Sequence, residues 1–90
     1  MQDFNGRVAV VTGGGSGMGR DLCRQLSKEG CHIAMCDVST ENMLETKRLC
    51  ESDAPAGTKI TIHTCDVSSE SQINNFRDEV KRRMAQLSIY

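Results

Sequence analysis

Between residues 12 and 19 this chain reads Thr12-Gly13-Gly14-Gly15-Ser16-Gly17-Met18-Gly19, and no regular element runs through so much glycine. The residues before it, Val8-Ala9-Val10-Val11, form a short β-branched apolar run without alternation. That is the pattern of a strand buried on both faces, as parallel sheets require. After the loop, Met18, Leu22 and Leu26 recur every four positions as a helical stripe, and Gly30 supplies a stop. In a strand–loop–helix unit of this kind, glycines permit a sharp turn and let the backbone approach a pyrophosphate closely. The helix then aims its free N–H groups and positive dipole end at the same place. The competing reading is a flexible glycine connector. A P-loop is excluded, because Gly19 is followed by Arg20-Asp21 rather than Lys and Ser or Thr. Nor does any register of these glycines fill Gly-x-Gly-x-x-Gly.

The pattern then repeats. His32-Ile33-Ala34-Met35-Cys36 is a second short run ending at Asp37, and Ser39 or Thr40 is placed to cap a helix through about Asp53. That helix is expected to bury Leu44 and Leu49 with Met43 or Cys50. Pro55 and Gly57 punctuate a loop, and Lys59 to Cys65 reads as a third strand ending at Asp66. Ser69 and Gln72 have capping-box spacing, ahead of a stripe of Ile73, Phe76, Val80, Met84 and Leu87. Strands at 7–12, 32–37 and 59–65, each followed by a helix, imply right-handed crossovers. The expected fold is α/β: a Rossmann-like parallel sheet in spatial order 3-2-1 with helices on both faces. This β-α-β-α-β-α order is one half of a doubly wound fold.

Ninety residues suit one domain or part of one. With 38% hydrophobic and 26% charged residues the chain is globular rather than disordered. No run approaches the ~20 apolar residues of a membrane span, and Met1 to Asn5 does not open a secretory signal. A net charge of -1 lacks the basic footprint of a nucleic-acid-binding domain. The five cysteines at 23, 31, 36, 50 and 65 contain no Cys-x-x-Cys pair and match no zinc signature. They read as reduced, small hydrophobes in a cytoplasmic or organellar setting. A metal or redox site can be drawn around Cys36, Cys65 and His63, but it lacks a fourth ligand and a second shell. Arg77, Lys81, Arg82 and Arg83 fall on a solvated helix face, and His32 flanks its strand.

The glycines do match Thr-Gly-x-x-x-Gly-x-Gly through Thr12, Gly13, Gly17 and Gly19. In this the sequence resembles the short-chain dehydrogenase/reductase family. Asp37 stands 18 residues after Gly19, near the ~20-residue offset of the acidic residue that binds a ribose in dinucleotide folds. Asp66-Val67 is similar to the pair that contacts adenine in the family, and Asn5-Gly6-Arg7-Val8-Ala9 to the family's entry into its first strand. The resemblance implies a cofactor site of Gly13, Gly15, Ser16, Gly17, Met18, Gly19, Asp37, Val38, Asp66 and Val67. Taken singly, Asp37 and Asp66 are ordinary turn or cap residues; their order after the glycine loop favours the site. A carboxylate at Asp37 accepts the hydroxyls of an unphosphorylated ribose and repels a 2′-phosphate. Ser16, Val38 and Ser39 add no positive charge, so NAD is favoured over NADP.

The implied activity is hydride transfer between a nicotinamide cofactor and an alcohol or carbonyl compound. The family's reaction centre, however, needs an Asn-Asn-Ala-Gly segment, a serine and a Tyr-x-x-x-Lys pair. Asn74-Asn75 lies inside the third helix stripe and precedes Phe76, and Tyr90 is the last residue and the only tyrosine. Residues 1–90 thus read as the N-terminal half of a dinucleotide-binding domain without its catalytic half. Substrate binding and homo-oligomerisation are expected only of a longer form. The alternative is a truncated, non-catalytic nucleotide-binding or protein-interaction module. Gln86 to Tyr90 shows no run into a fourth strand, which predicts an open apolar edge at Val8 to Val11 and uncovered surface near Val80 or Met84.

Overall fold

The computed structural model describes residues 6–83 and 88–89. The chain runs β1 (Val8–Thr12), α1 (Gly17–Lys28), β2 (His32–Asp37), α2 (Thr40–Asp53), β3 (Ile60–Thr64), α3 (Glu70–Arg83) and β4 (Ser88–Ile89). The strands form one parallel sheet in the order β3-β2-β1-β4. Val8 to Thr12 pair with His32 to Cys36, and Ile33 to Asp37 with Ile60 to Thr64. The 3-2-1 order expected from the crossovers is therefore present.

Each face of the sheet carries its own core, because successive side chains on a strand point to opposite sides. Ala9, Val11, Ile33, Met35 and Ile60 pack with Cys23 and Leu26 of α1 and Met43 and Cys50 of α2. Val8, Val10, Ala34 and Cys36 turn the other way and pack with Cys65 and with Phe76 and Val80 of α3. This explains the unbroken apolar runs of β1 and β2: both faces are covered. β3, with a neighbour on only one side, is buried fully at Ile60 alone.

The helix ends follow local chemistry. Ser39 caps α2 by accepting the Asn42 N–H at 3.2 Å. At the end of α1, Gly30 N–H donates to Ser27 C=O at 3.0 Å and Cys31 N–H to Leu26 C=O at 3.1 Å, the paired bonds of a Schellman motif. Only half of the expected capping box forms before α3. Gln72 N–H donates to Ser69 Oγ at 3.4 Å, but the Gln72 side chain reaches back to the Asp66 N–H instead, at 2.9 Å.

Four expectations from the sequence need correction. Met18 is 88% exposed and Leu44 51% exposed, while the α1 and α2 cores are built on Cys23, Leu26, Met43, Thr46 and Cys50. A stripe repeating every four residues, such as Met18, Leu22 and Leu26, drifts around a 3.6-residue helix, so the face toward the sheet is selected by packing. Val80 is 1% exposed rather than uncovered, because β1 and β2 already supply its partners. The edge of β1 is not open along its length: Ala9 pairs with Ser88 and Val10 with Ile89. Unpaired N–H and C=O groups along β1 recruit even a two-residue segment with no hydrophobic run. Met84 and Leu87 lie outside the described residues.

Candidate functional site

Parallel pairing places the C-terminal ends of β1, β2 and β3 along one edge of the sheet, where the glycine loop, Asp37-Val38 and Asp66-Val67 all emerge. The loop is held to the end of β2. Gly13 and Gly14 N–H groups both donate to the Cys36 carbonyl, at 2.8 and 3.2 Å. Gly15 N–H then donates to Asp37 Oδ2 at 2.9 Å, and Val38 N–H to Asp37 Oδ1 at 2.7 Å. Both carboxylate oxygens are thereby oriented by backbone amides, one of them from the loop itself.

The loop's glycines are required by space and by backbone conformation. Gly13 and Gly17 have φ of 71° and 57°, in the left-handed region. A Cβ at Gly19 would overlap the Gly13 carbonyl, and one at Gly15 would come within 2.6 Å of Asp37 Oδ2. The outcome is a tight turn of bare backbone at the start of α1. Ser16, the N-cap, is extended and its side chain makes no capping bond; no acidic residue occupies the first turn. The N–H groups of Ser16 to Gly19 and the positive helix end, with no acidic residue in the first turn, suit an anion such as a phosphate.

Around this turn, Met18, Val38 and Val67 are 88%, 67% and 54% exposed. Three apolar side chains facing water along the edge of one site suit a flat, partly apolar group more than they suit solvent. Asp66 is at the same edge but is engaged in its own turn. Its Oδ1 accepts the Ser68 N–H at 2.9 Å and the Ser68 hydroxyl at 2.7 Å, which holds its carboxyl below the usual 3.8. The structure thus joins Asp37 to the loop through Gly15, with Gly13 and Gly14 on the Cys36 carbonyl, and sets Asp66 and Val67 at the same edge.

Arg20 escaped the sequence reading. Its Nε donates to Thr46 Oγ1 at 2.8 Å, and its Nη2 to the carbonyls of Gly15 and Asn42 at 2.6 and 3.1 Å. No signal within either element marked it, because its partners lie on α2 and in the glycine loop. Elsewhere, His32 Nδ1 accepts the Lys59 N–H at 2.9 Å, at the start of its strand as expected. Cys36 and Cys65 share the second core; burial pushes the Cys36 thiol up to about 12, with Cys65 adding to the effect. His63 stacks at a tilt on Phe76, with ring centroids 5.0 Å apart, and its Nδ1 lies 3.8 Å from Glu79 Oε1. Among the described residues no three His, Cys, Asp or Glu side chains gather as a metal site. No helix among them is long and apolar enough to cross a membrane.

The family model described as short chain dehydrogenase matches residues 7–89. Levodione reductase from Leifsonia aquatica is 33% identical over 84 residues, covering 93% of this chain and 31% of the reductase. A solved NAD+-bound xylitol dehydrogenase superposes with a TM-score of 0.88 at 28% identity, covering 98% of this chain and 33% of that one. A metagenomic short-chain oxidoreductase in complex with NADP gives a TM-score of 0.86 at 26% identity, covering 98% of this chain and 38% of its own. The chain spans 26% to 31% of the length of eight curated relatives that it matches.

Proposed function

Because the chain belongs to the short-chain dehydrogenase family, we propose that residues 1–90 are the nucleotide-binding N-terminal part of an oxidoreductase. In this reading its cofactor is a nicotinamide dinucleotide, with NAD preferred. The bound cofactor supplies or accepts the hydride exchanged with an alcohol or carbonyl substrate. The observation that carries the reading is the bond from Gly15 N–H to Asp37 Oδ2, which sets a carboxylate beside the glycine turn at the start of α1.

Each group then has a physical task. The backbone amides of Ser16 to Gly19 at the α1 N-terminus hold the pyrophosphate, while Gly13, Gly14 and Gly15, whose N–H groups are bonded to Cys36 and Asp37, keep the turn tight and bare beside it. Asp37 takes the hydroxyls of the adenosine ribose. Met18, Val38 and Val67 cover apolar faces of the nucleotide, and Asp66 shapes the β3 exit that borders adenine. NAD preference follows from charge: an anion at Asp37 repels a 2′-phosphate, and Ser16 and Val38 offer no cation. The Arg20 guanidinium, which reaches the loop, is committed to three acceptors within the fold. The family's reaction centre belongs to a longer form, for which homo-oligomerisation and a cytoplasmic setting are part of the same reading. Five buried free thiols support a reducing compartment.

The test is to titrate NAD and NADP into the protein carrying this chain, alongside Asp37→Ala and Val38→Arg. Saturable binding with tighter NAD, and a loss of that preference in both variants, supports the reading. Absence of binding to either dinucleotide overturns it.

A further inference from the structure

Arg20 occupies the first turn of α1, yet its guanidinium bonds outside that helix, to the glycine loop and to α2. The directions of these bonds are fixed. The Thr46 hydroxyl donates its proton to the Asn42 carbonyl at 3.2 Å, which leaves its lone pairs for Arg20 Nε. Thr46 is 0% exposed, so water does not compete for that hydroxyl. The Nη2 group spans the gap between α2 and the loop, with Asn42 C=O on one side and Gly15 C=O on the other.

Gly15 is consequently held from both ends. Its C=O, in the peptide shared with Ser16, points to the Arg20 cation at 2.6 Å; its N–H, in the peptide shared with Gly14, points to the Asp37 carboxylate at 2.9 Å. A trans peptide is planar, so turning the Gly15 carbonyl toward α2 turns the Ser16 N–H the opposite way. Ser16 is the exposed N-cap of α1, and its amide is one of the loop's available donors. The Gly15 N–H, in the adjoining peptide unit, is aimed at Asp37, so the two bonds together hold the backbone on either side of Gly15 and limit where the carboxylate can point.

We propose that Arg20 is a positioning residue for dinucleotide recognition: it fixes the two peptide units around Gly15 and, through them, the Asp37 carboxylate that discriminates between ribose and its 2′-phosphate. This rests on the dinucleotide reading above. It adds that selectivity depends on a side chain committed to the scaffold, one turn inside the helix. A lysine does not substitute, because an ammonium is a point charge and cannot span the Thr46, Asn42 and Gly15 acceptors as a planar fork does.

The experiment measures Kd for NAD and NADP, with thermal stability, on the protein carrying this chain and on Arg20→Met, Arg20→Lys and Thr46→Val. Loss of charge-assisted bonds at Gly15 is expected to weaken NAD binding about tenfold. NADP binding should change less, so the NAD:NADP ratio falls in Arg20→Met, and Arg20→Lys does not restore it. Thr46→Val removes only the Nε acceptor at nearly constant volume and should shift the ratio the same way by a smaller factor. It remains informative if Arg20→Met fails to fold. In an Asp37→Ala background the Arg20→Met change should no longer alter the ratio, since the two residues act in series. A purely structural role predicts lower stability with an unchanged ratio, and that result overturns the proposal. Failure of the parent protein to bind either dinucleotide instead overturns the reading beneath it, so the two failures are distinct.

Discussion

Asp37 and Asp66 both end strands, yet the fold gives their carboxylates different work. Asp37 faces the glycine loop through Gly15, whereas Asp66 folds back on Ser68. The Ser68 bonds depress the Asp66 pKa, so their contribution is complete above the ordinary 3.8 and is lost as pH falls through the lower folded value. An NMR titration of the Ser68 amide should therefore report a midpoint below 3.8, moving up toward it in Ser68→Ala. Gly19 is subject to a harder constraint, because any Cβ there overlaps the Gly13 carbonyl. Gly19→Ala is expected to displace the loop and lower dinucleotide affinity by tenfold or more, about 1.4 kcal/mol or above, measurable by the same titration.

At the scale of elements, α2 and α3 depend on different kinds of interaction. α2 begins with a side-chain cap, so Ser39→Ala should cost about 1 kcal/mol in denaturant unfolding while leaving the sheet register intact. α3 covers its face of the sheet through Phe76 and Val80, with Ile73 at the margin. Phe76→Ala should cost about 3–5 kcal/mol, a large fraction of a small domain's stability. The measurement is the midpoint of urea unfolding; a loss under 1 kcal/mol would show that α3 is not what seals that face. The sequence made the helices legible through caps and stripes. It misjudged which residues face inward on α1 and α2, because Met18, Leu44 and Thr46 defy the rule that apolar positions are buried and polar ones are not.

For the whole molecule, two cores share one sheet and all five cysteines are inside. Burial raises the thiols of Cys31 and Cys50 and pushes Cys23 and Cys36 up to about 12. A raised folded pKa on a thiol stabilises the fold fully below the ordinary 9.0 and is lost as pH climbs toward 12. Because all five thiols are buried, alkylation at neutral pH should be negligible in the folded protein and reach all five cysteines in denaturant, as mass spectrometry can count. Stability should also decline steeply above pH 9, with serine at Cys23 or Cys36 flattening that decline if the variant folds. NAD at 100 times its Kd should raise stability by about 2.7 kcal/mol through mass action, visible as a higher melting temperature. The Gly19→Ala variant should lose most of that increment at the same concentration.

Periodicity and punctuation along the chain were enough to place β1 to β3 and α1 to α3 and their parallel order. These depend on local chemistry: β-branched runs, capping serines, and glycines where the backbone must turn. Asp37 was marked by its offset from Gly19 and by the family resemblance, as a ribose-binding candidate rather than as a partner of the loop. Three things depended on the assembled tertiary structure. The inward faces of α1 and α2 were chosen by the sheet they pack on. The short β4 segment, with no hydrophobic signature, was recruited by the unpaired side of β1. The Arg20 network joins positions 15, 20, 42 and 46, which become neighbours only when α1 and α2 lie side by side on one face. No spacing rule within a single element could reveal it, because a hydrogen bond between two helices depends on how they pack.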